Sequence, residues 1–453
     1  MVLEALGRAV GEDAPVGTAI TAAGSAGGSP TMVPVERYTS PEFAARELEL
    51  VWPRVWQIAC TVDHVSDPGD FFEYRVGPYS VLIVRTDDGA LRAYQNVCRH
   101  RGNQLCTGSG SGLTELRCGY HRWSWDLEGR LREVPSRKGF GALRNEDFPL
   151  FAASVDTWGP LVFVNLDPDA MPLAEYLEGV PADLAWMGFD DFRGEVIVTM
   201  PVAANWKVVA DGFSETYHVQ GLHREMIASM DDIDAPQRVW GHTSKSSQRY
   251  GVPSPRFRDG LDDQTVWDSF VITQGMRMGV TDVGPVPPLA DGETLSDAIA
   301  ARIRATAAEK GVDLSRFDTD EMLTLHQYNL FPNATVLATP DLLSVLCAKP
   351  GPDPDHAEMV AISFRRAPAA EALRSQPFTV ALAEGDADLG FVLNADVSVG
   401  PAVQRGMHQP GFTHLTLSSE ECRVINTHRN LERYLGIAPS EMTGGPAGAD
   451  PTS

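Results

Sequence analysis

The chain has 453 residues, 43% of them apolar, enough to bury more than one hydrophobic core, because single cores stop growing well below this length. A formal net charge of −24, with no Lys/Arg-rich block, repels phosphate backbones and anionic lipid, which excludes nucleic acid and membrane surfaces as partners. There is no run of about 18 apolar residues and no basic-then-apolar leader, so a cytoplasmic protein is expected, and six thinly spread cysteines fit a reducing compartment.

Residues 8 to 31 are rich in Gly, Ala, Ser and Thr, and a disordered tail is expected over residues 1–34. From Pro41 the apolar residues Phe43, Leu48, Val51 and Trp52 recur at helical spacing, with Ser40 as N-cap and proline in the first turn. This predicts a helix within 35–54, expected to pack on the larger, later domain. The segments FFEYRV, SVLIVRT and LRAYQN between Phe71 and Gln95 read as short strands, the last two joined by the hairpin turn Asp87-Asp88-Gly89. With LVFVNL at 161–166 as a closing strand, residues 55–170 form a small antiparallel β domain.

Beyond Asp167-Pro168-Asp169 the pattern is mixed. The strand candidate EVIVTMPV precedes a helix predicted from Trp206 through His223, then a polar Gly/Pro/Asp-rich stretch from 250 to 295. Helical patterns return at LSDAIAARIRATAAEK and SSEECRVINTHRNLERYL, with the strands ATVLAT, LLSVLCAK and MVAISFRR between them. The expectation for 171–442 is an α+β domain, an antiparallel sheet flanked by helices, followed by a tail over 443–453. No internal repeat is present.

Two loops of the β domain, 98–103 and 118–123, concentrate chemistry: Cys98-x-His100, seventeen residues, then Cys118-x-x-His121. Two thiolates and two imidazoles can hold a tetrahedral zinc or a [2Fe–2S] cluster with Cys on one iron and His on the other. A C-x-H pair is tighter than the C-x₂₋₄-C half of a zinc finger, which favours the cluster. Cys60, Cys106, Cys347 and Cys422 have no histidine neighbour and are expected to be inert. With Arg101-Gly102, the segment resembles the Rieske domain of ring-hydroxylating oxygenase α subunits, C-x-H-R-G followed by C-x-x-H. It departs at Arg99 and Gly119, where proline is common, and at Arg122, where glycine is common. Respiratory-type Rieske carriers place bridging cysteines where Asn103 and Tyr120 stand, which disfavours that alternative.

The second constellation is His218-x₄-His223, two residues five apart that do not stack on one helix face, so a local distortion is needed to bring both imidazoles to one metal. Asn205-Trp206-Lys207, Asp211, Glu215 and Tyr217 surround them and resemble the same family's pattern of N-W-K, acidic residues and Y-H-x₄-H. Ferrous iron that binds O₂ needs two histidines, one carboxylate and open positions. The resemblance assigns that carboxylate to Asp396, followed eight residues later by Gln404 and then Arg405-Gly406; Ala395 stands where Glu often precedes. The alternative for Asp396 is a helix cap. The resemblance further implies that Glu215 bridges His121 of one subunit to His218 of its neighbour. Asp211 either tunes the metal site or makes an ordinary buried hydrogen bond.

The resemblance runs from about residue 35 to 440. It implies a terminal oxygenase with one [2Fe–2S] cluster and one mononuclear Fe(II), a homotrimer fed by a separate ferredoxin or flavin reductase, acting with O₂ on a small organic substrate. Arene hydroxylation is the first expectation; oxidation of an alkyl or N-methyl group, as in quaternary ammonium compounds, is the alternative. No G-x-G-x-x-G follows a strand here, so the reductase is another protein. Phe213, Trp240, Phe270 and Phe331 are the aromatic residues weighed for a pocket.

Overall fold

The computed structural model describes residues 30–368, 371, 377–383 and 390–438. The chain divides into a β unit, residues 45–197 with 369–380, and an α+β unit, residues 1–44, 198–368 and 381–453. The boundaries expected near 55 and 170 therefore move outward.

In the β unit, seven strands pair antiparallel in the order Gln57–Thr61, Leu161–Asn165, Ala152–Trp158, Leu91–Gln95, Tyr79–Arg85, Phe71–Val76 and Ser109–Gly110. Val81 to Val84 are fully buried, as a strand paired on both edges and covered on both faces requires. Gly89 (φ +81°) closes the expected hairpin, with Thr86 N–H donating to Ala90 O at 2.9 Å. A small sheet of Leu116–Arg117, Ser124–Trp125 and Leu131–Glu133 completes the unit. Cys98 and Cys118 belong to its apolar core with Leu82, Tyr94, Trp123 and Trp125, so both cysteine loops rest on rigid packing.

The helix predicted from Pro41 spans Pro41–Leu50, and Ser40 Oγ accepts from Phe43 N–H at 3.1 Å. The expected 35–54 segment divides: its residues up to 44 belong to the α+β unit, with the Lys207 ammonium 5.6 Å from the Phe43 ring, and from Ala45 onward it belongs to the β unit, where the Tyr79 hydroxyl donates to Leu48 O at 2.9 Å. Gly77 (φ +51°) permits this approach, since a Cβ there would collide with the Leu48 side chain.

The sheet of the α+β unit runs Met230–Asp231, Thr243–Tyr250, Thr324–Leu330, Ala334–Ala338, Leu342–Pro350, Ala357–Arg366 and residues 198–202, with Gln237–Val239 also on the second strand. Three expectations are corrected here. Thr31–Pro34 is a strand, not tail: it pairs antiparallel with His414–Leu417, and its alternation buries Thr31 and Val33. Residues 1–29 and 439–453 lie outside the described residues. The polar stretch contains a helix, Asp263–Gln274, capped by the Asp262 carboxylate and burying Val266, Trp267, Phe270 and Val271. The helix predicted from Trp206 through His223 is broken into Trp206–Gly212 and the single turn Val219–Leu222. Helices Leu295–Glu309, Phe391–Met407 and Cys422–Leu435 flank the sheet, and no described helix is long and apolar enough to cross a membrane.

Candidate active site

The two cysteine loops share one backbone plan. Cys98 N–H donates to Asn103 O and Gly102 N–H returns to Cys98 O; Cys118 N–H donates to Trp123 O and Arg122 N–H returns to Cys118 O. Each loop turns on a left-handed residue four after its cysteine, Gly102 (φ +75°) in one and Arg122 (φ +64°) in the other. The two thiols are in contact, and the His100 and His121 rings lie 4.6 Å apart between centroids. His100 stacks on Trp123 at 5.2 Å, and its buried Nδ1 has no hydrogen-bond partner among the described residues. Thiol beside thiol and imidazole beside imidazole suits a two-iron cluster, whereas tetrahedral zinc would draw all four donors around one point. Asn103 and Tyr120 direct hydrogen bonds to the Cys118 sulfur, from the Asn103 amide at 3.7 Å and the Tyr120 N–H at 3.4 Å. Cys106 carries no disulfide.

His218 caps the single turn Val219–Leu222 and His223 ends it, which is the distortion that five-residue spacing demands. The break before them has a local cause. Ser214 Oγ donates back to Ala210 O at 2.8 Å, and Glu215 Oε2 takes the His218 N–H at 3.0 Å, drawing main-chain groups out of the helical ladder. The other oxygen of Glu215 meets His218 Nδ1 at 2.5 Å. Asp396 sits inside helix Phe391–Met407, whose N-cap is Gly390, so it is not a cap. Its Oδ1 lies 2.6 Å from His223 Nε2 and 3.6 Å from His218 Nε2. Among the described residues these three form the one group of at least three possible ligands whose donor atoms lie within 4.8 Å of one another. His223 is buried and its Nδ1 has no hydrogen-bond partner among the described residues. Two imidazoles and one carboxylate converging from two elements fit a mononuclear ferrous ion.

Asp211 lies elsewhere in hydrogen-bonding terms. Its Oδ2 accepts from the Tyr38 hydroxyl at 2.5 Å, and that hydroxyl meets His428 Nε2 at 2.7 Å. Burial pushes the Asp211 carboxyl up to about 7, and burial pushes His428 well below the usual histidine range. Asn205 and Gln404 act as braces. Asn205 caps Trp206–Gly212 through Lys207 N–H at 3.0 Å, while Gln404 Oε1 accepts from Asn205 N–H at 2.9 Å and its Nε2 donates to Asp355 at 2.6 Å.

Two cavities reach the His218/Asp396 wall. One, of about 330 Å³, is lined by Asp211, Glu215 and valines including Val202, Val208 and Val403. The other, of about 490 Å³, also touches His223 and is lined by Val, Ile, Leu and Met together with Gln248, Tyr250, Ser344 and Ser363. Phe213 faces both. Phe270 is fully buried in helix Asp263–Gln274, and neither Trp240 nor Phe331 lines either cavity. The polar residues of the larger cavity were missed in the sequence because they come from separate strands and form no local motif.

Residues 189–437 match the family model of the ring hydroxylating alpha subunit (catalytic domain), and residues 55–151 match that of the Rieske [2Fe-2S] domain. The glycine betaine monooxygenase oxygenase subunit of Chromohalobacter salexigens is 30% identical over 213 residues, 45% of this chain and 46% of the relative. The carnitine monooxygenase oxygenase subunit of Escherichia coli is 27% identical, over 51% of this chain and 63% of the relative. The biphenyl 2,3-dioxygenase subunit alpha of Rhodococcus jostii is 33% identical over 40% of this chain and 41% of the relative. The chain thus spans about half the length of the curated relatives it matches. Among solved structures, a quaternary ammonium Rieske monooxygenase superposes with a TM-score of 0.66 at 18% identity, covering 90% of this chain and 96% of the other. Naphthalene 1,2-dioxygenase with bound indole gives 0.64 at 18% identity, covering 91% and 94%. Both likenesses establish the fold.

Proposed function

Because the chain belongs to the ring-hydroxylating α-subunit family and carries a Rieske [2Fe–2S] domain, we propose that it is a terminal oxygenase that hydroxylates an aromatic substrate with O₂ and electrons from a separate ferredoxin or reductase. The observation that carries this reading is the trio His218, His223 and Asp396 at the wall of a 490 Å³, mainly apolar cavity.

In this reading Cys98 and Cys118 hold one cluster iron, His100 and His121 the other, and the trio holds a ferrous ion. When bound, the cluster supplies single electrons and the ferrous ion supplies O₂ activation. The protein's own part is positioning. Glu215 uses one oxygen on the His218 main chain and the other on its Nδ1, which fixes the ring and leaves Nε2 toward Asp396. The apolar cavity wall keeps water from the reacting carbon. The reading includes a cytoplasmic homotrimer in which His121 of a neighbouring subunit delivers electrons through Glu215.

Two of the relatives favour a second reading, oxidation of a quaternary ammonium compound. The larger cavity argues against it. Its aromatic lining is limited to Phe213 and Tyr250 among the described residues, and both lining carboxylates, Glu215 and Asp396, are committed to histidines. A cation cage needs more aromatic faces than that.

Anaerobic purification followed by iron and acid-labile sulfide assays and an EPR spectrum after dithionite reduction tests the reading. About three irons per chain and a rhombic signal of low average g are expected. Zinc alone would overturn it.

A further inference from the structure

We propose that Arg423 and Asn329 are positioning residues for the metal-ligand segment: through the Asn329 amide, the Arg423 guanidinium holds the Phe213 carbonyl out of the helix and so sets where the His218 and His223 imidazoles stand. The part played by iron rests on the oxygenase reading, whereas the clamp rests on separate atoms.

An uninterrupted helix would give the Phe213 carbonyl to the N–H four residues on, that of Tyr217. Here three side chains of the large sheet take it: Gln327 through its amide, Asn329 Nδ2 at 2.8 Å and Thr335 Oγ1 at 3.3 Å. They come from the strands Thr324–Leu330 and Ala334–Ala338, remote in sequence, and add to the local bonds of Ser214 and Glu215. Asn329 is itself directed by a further residue. Its Oδ1 accepts from Arg423 Nη1 at 2.7 Å, and its Nδ2 also donates to Thr335 Oγ1 at 2.9 Å. The amide cannot sit the other way round. Burial draws the Arg423 guanidinium down to about 10, so it remains a cation with only N–H donors at neutral pH, while the Phe213 carbonyl only accepts. A flipped Asn329 would set N–H against N–H on one side and oxygen against oxygen on the other. Arg423 is fixed in the same manner: its Nε donates to Gln237 Oε1 at 3.0 Å, and Gln237 Nε2 donates to Glu420 O at 2.9 Å. Arg423 and Asn329 are both buried, and neither lines either cavity at the metal site. Buried guanidinium groups usually take a carboxylate. This one takes two amide carbonyls, so what its burial secures is the direction of those amides.

The test uses the full chain and three readings: hydrogen exchange over residues 213–223, Fe(II) affinity after the mononuclear iron is stripped and returned, and the EPR spectrum of the nitric oxide adduct. Asn329→Asp is the discriminating variant, since a carboxylate still satisfies Arg423 but turns an oxygen on the Phe213 carbonyl. Exchange over 213–223 is expected to quicken at least about tenfold and Fe(II) affinity to fall by about 10- to 100-fold. The nitric oxide spectrum should change while the cluster's own EPR signal stays as in wild type. Arg423→Met should move the same readings in the same direction, and it serves should Asn329→Asp not accumulate. Val345→Ala is the control: Val345 is fully buried in the same sheet and lines neither cavity, so its truncation lowers the thermal midpoint and should leave all three readings unchanged. Wild-type exchange or wild-type iron affinity in Asn329→Asp, or equal changes in Val345→Ala, overturns the proposal. A wild-type chain that takes up no Fe(II) would instead sink the oxygenase reading, and the exchange measurement alone then decides this one.

Discussion

Asp211 shows how one buried group leaves a pH signature. The unfolded chain releases this proton at ~3.9, whereas burial pushes the folded carboxyl up to about 7. Between those values the folded protein holds a proton that the unfolded chain has lost, so this group lowers stability as pH rises through that window. Asp211→Asn removes the effect: its stability relative to wild type should climb between pH 4 and pH 8 in urea titrations, and a flat difference would show that Asp211 titrates normally. Glu215 uses both of its oxygens on His218. A glutamine in its place would offer one acceptor where the carboxylate serves two donors, so either the His218 main chain or its ring loses its partner. Glu215→Gln is expected to cut turnover by about 10- to 100-fold with both metals still present; full turnover would remove Glu215 from the electron path. At Arg122 the left-handed backbone costs a side chain about 1 kcal/mol, so Arg122→Gly should raise the thermal midpoint of the β unit.

Single elements carry the site's precision. Gln404 ties helix Phe391–Met407, which bears Asp396, to the start of the helix that leads into His218. Gln404→Leu strands the buried Asn205 N–H, a loss of about 1–3 kcal/mol, and should loosen iron retention measured after gel filtration. Iron held as tightly as in wild type would mean that the helix is positioned without it. Much of this was legible in the sequence wherever the signal is local: the Ser40-Pro41 helix start, the Asp87-Asp88-Gly89 hairpin, the paired Cys/His loops. The break at Phe213–His218 was half legible. The spacing of His218 and His223 demanded a distortion, but the bonds of Ser214 and Glu215 that create it are visible only in three dimensions. Helix Asp263–Gln274 was hidden because its apolar residues sit inside a Gly/Pro/Asp-rich stretch, and Gln248, Ser344 and Ser363 share a surface only through strand register.

Across the whole molecule the two candidate metal sites draw on different stretches of chain, residues 98–121 in one unit and 218–396 in the other. Treatment with a ferrous chelator should therefore abolish substrate-dependent O₂ uptake while the cluster's EPR signal persists, and Fe(II) should restore uptake; loss of both signals together would argue against independent sites. The pairing of Thr31–Pro34 with His414–Leu417 has a consequence for how the polypeptide is made. On the ribosome, the strands from Gln57 to Asn165 emerge early and find all their partners among themselves, so their sheet can close while synthesis continues. The first strand must wait, unpaired, for a partner nearly four hundred residues later. Messages truncated before codon 414 should therefore yield chains whose early sheet resists protease and whose residues 31–34 do not.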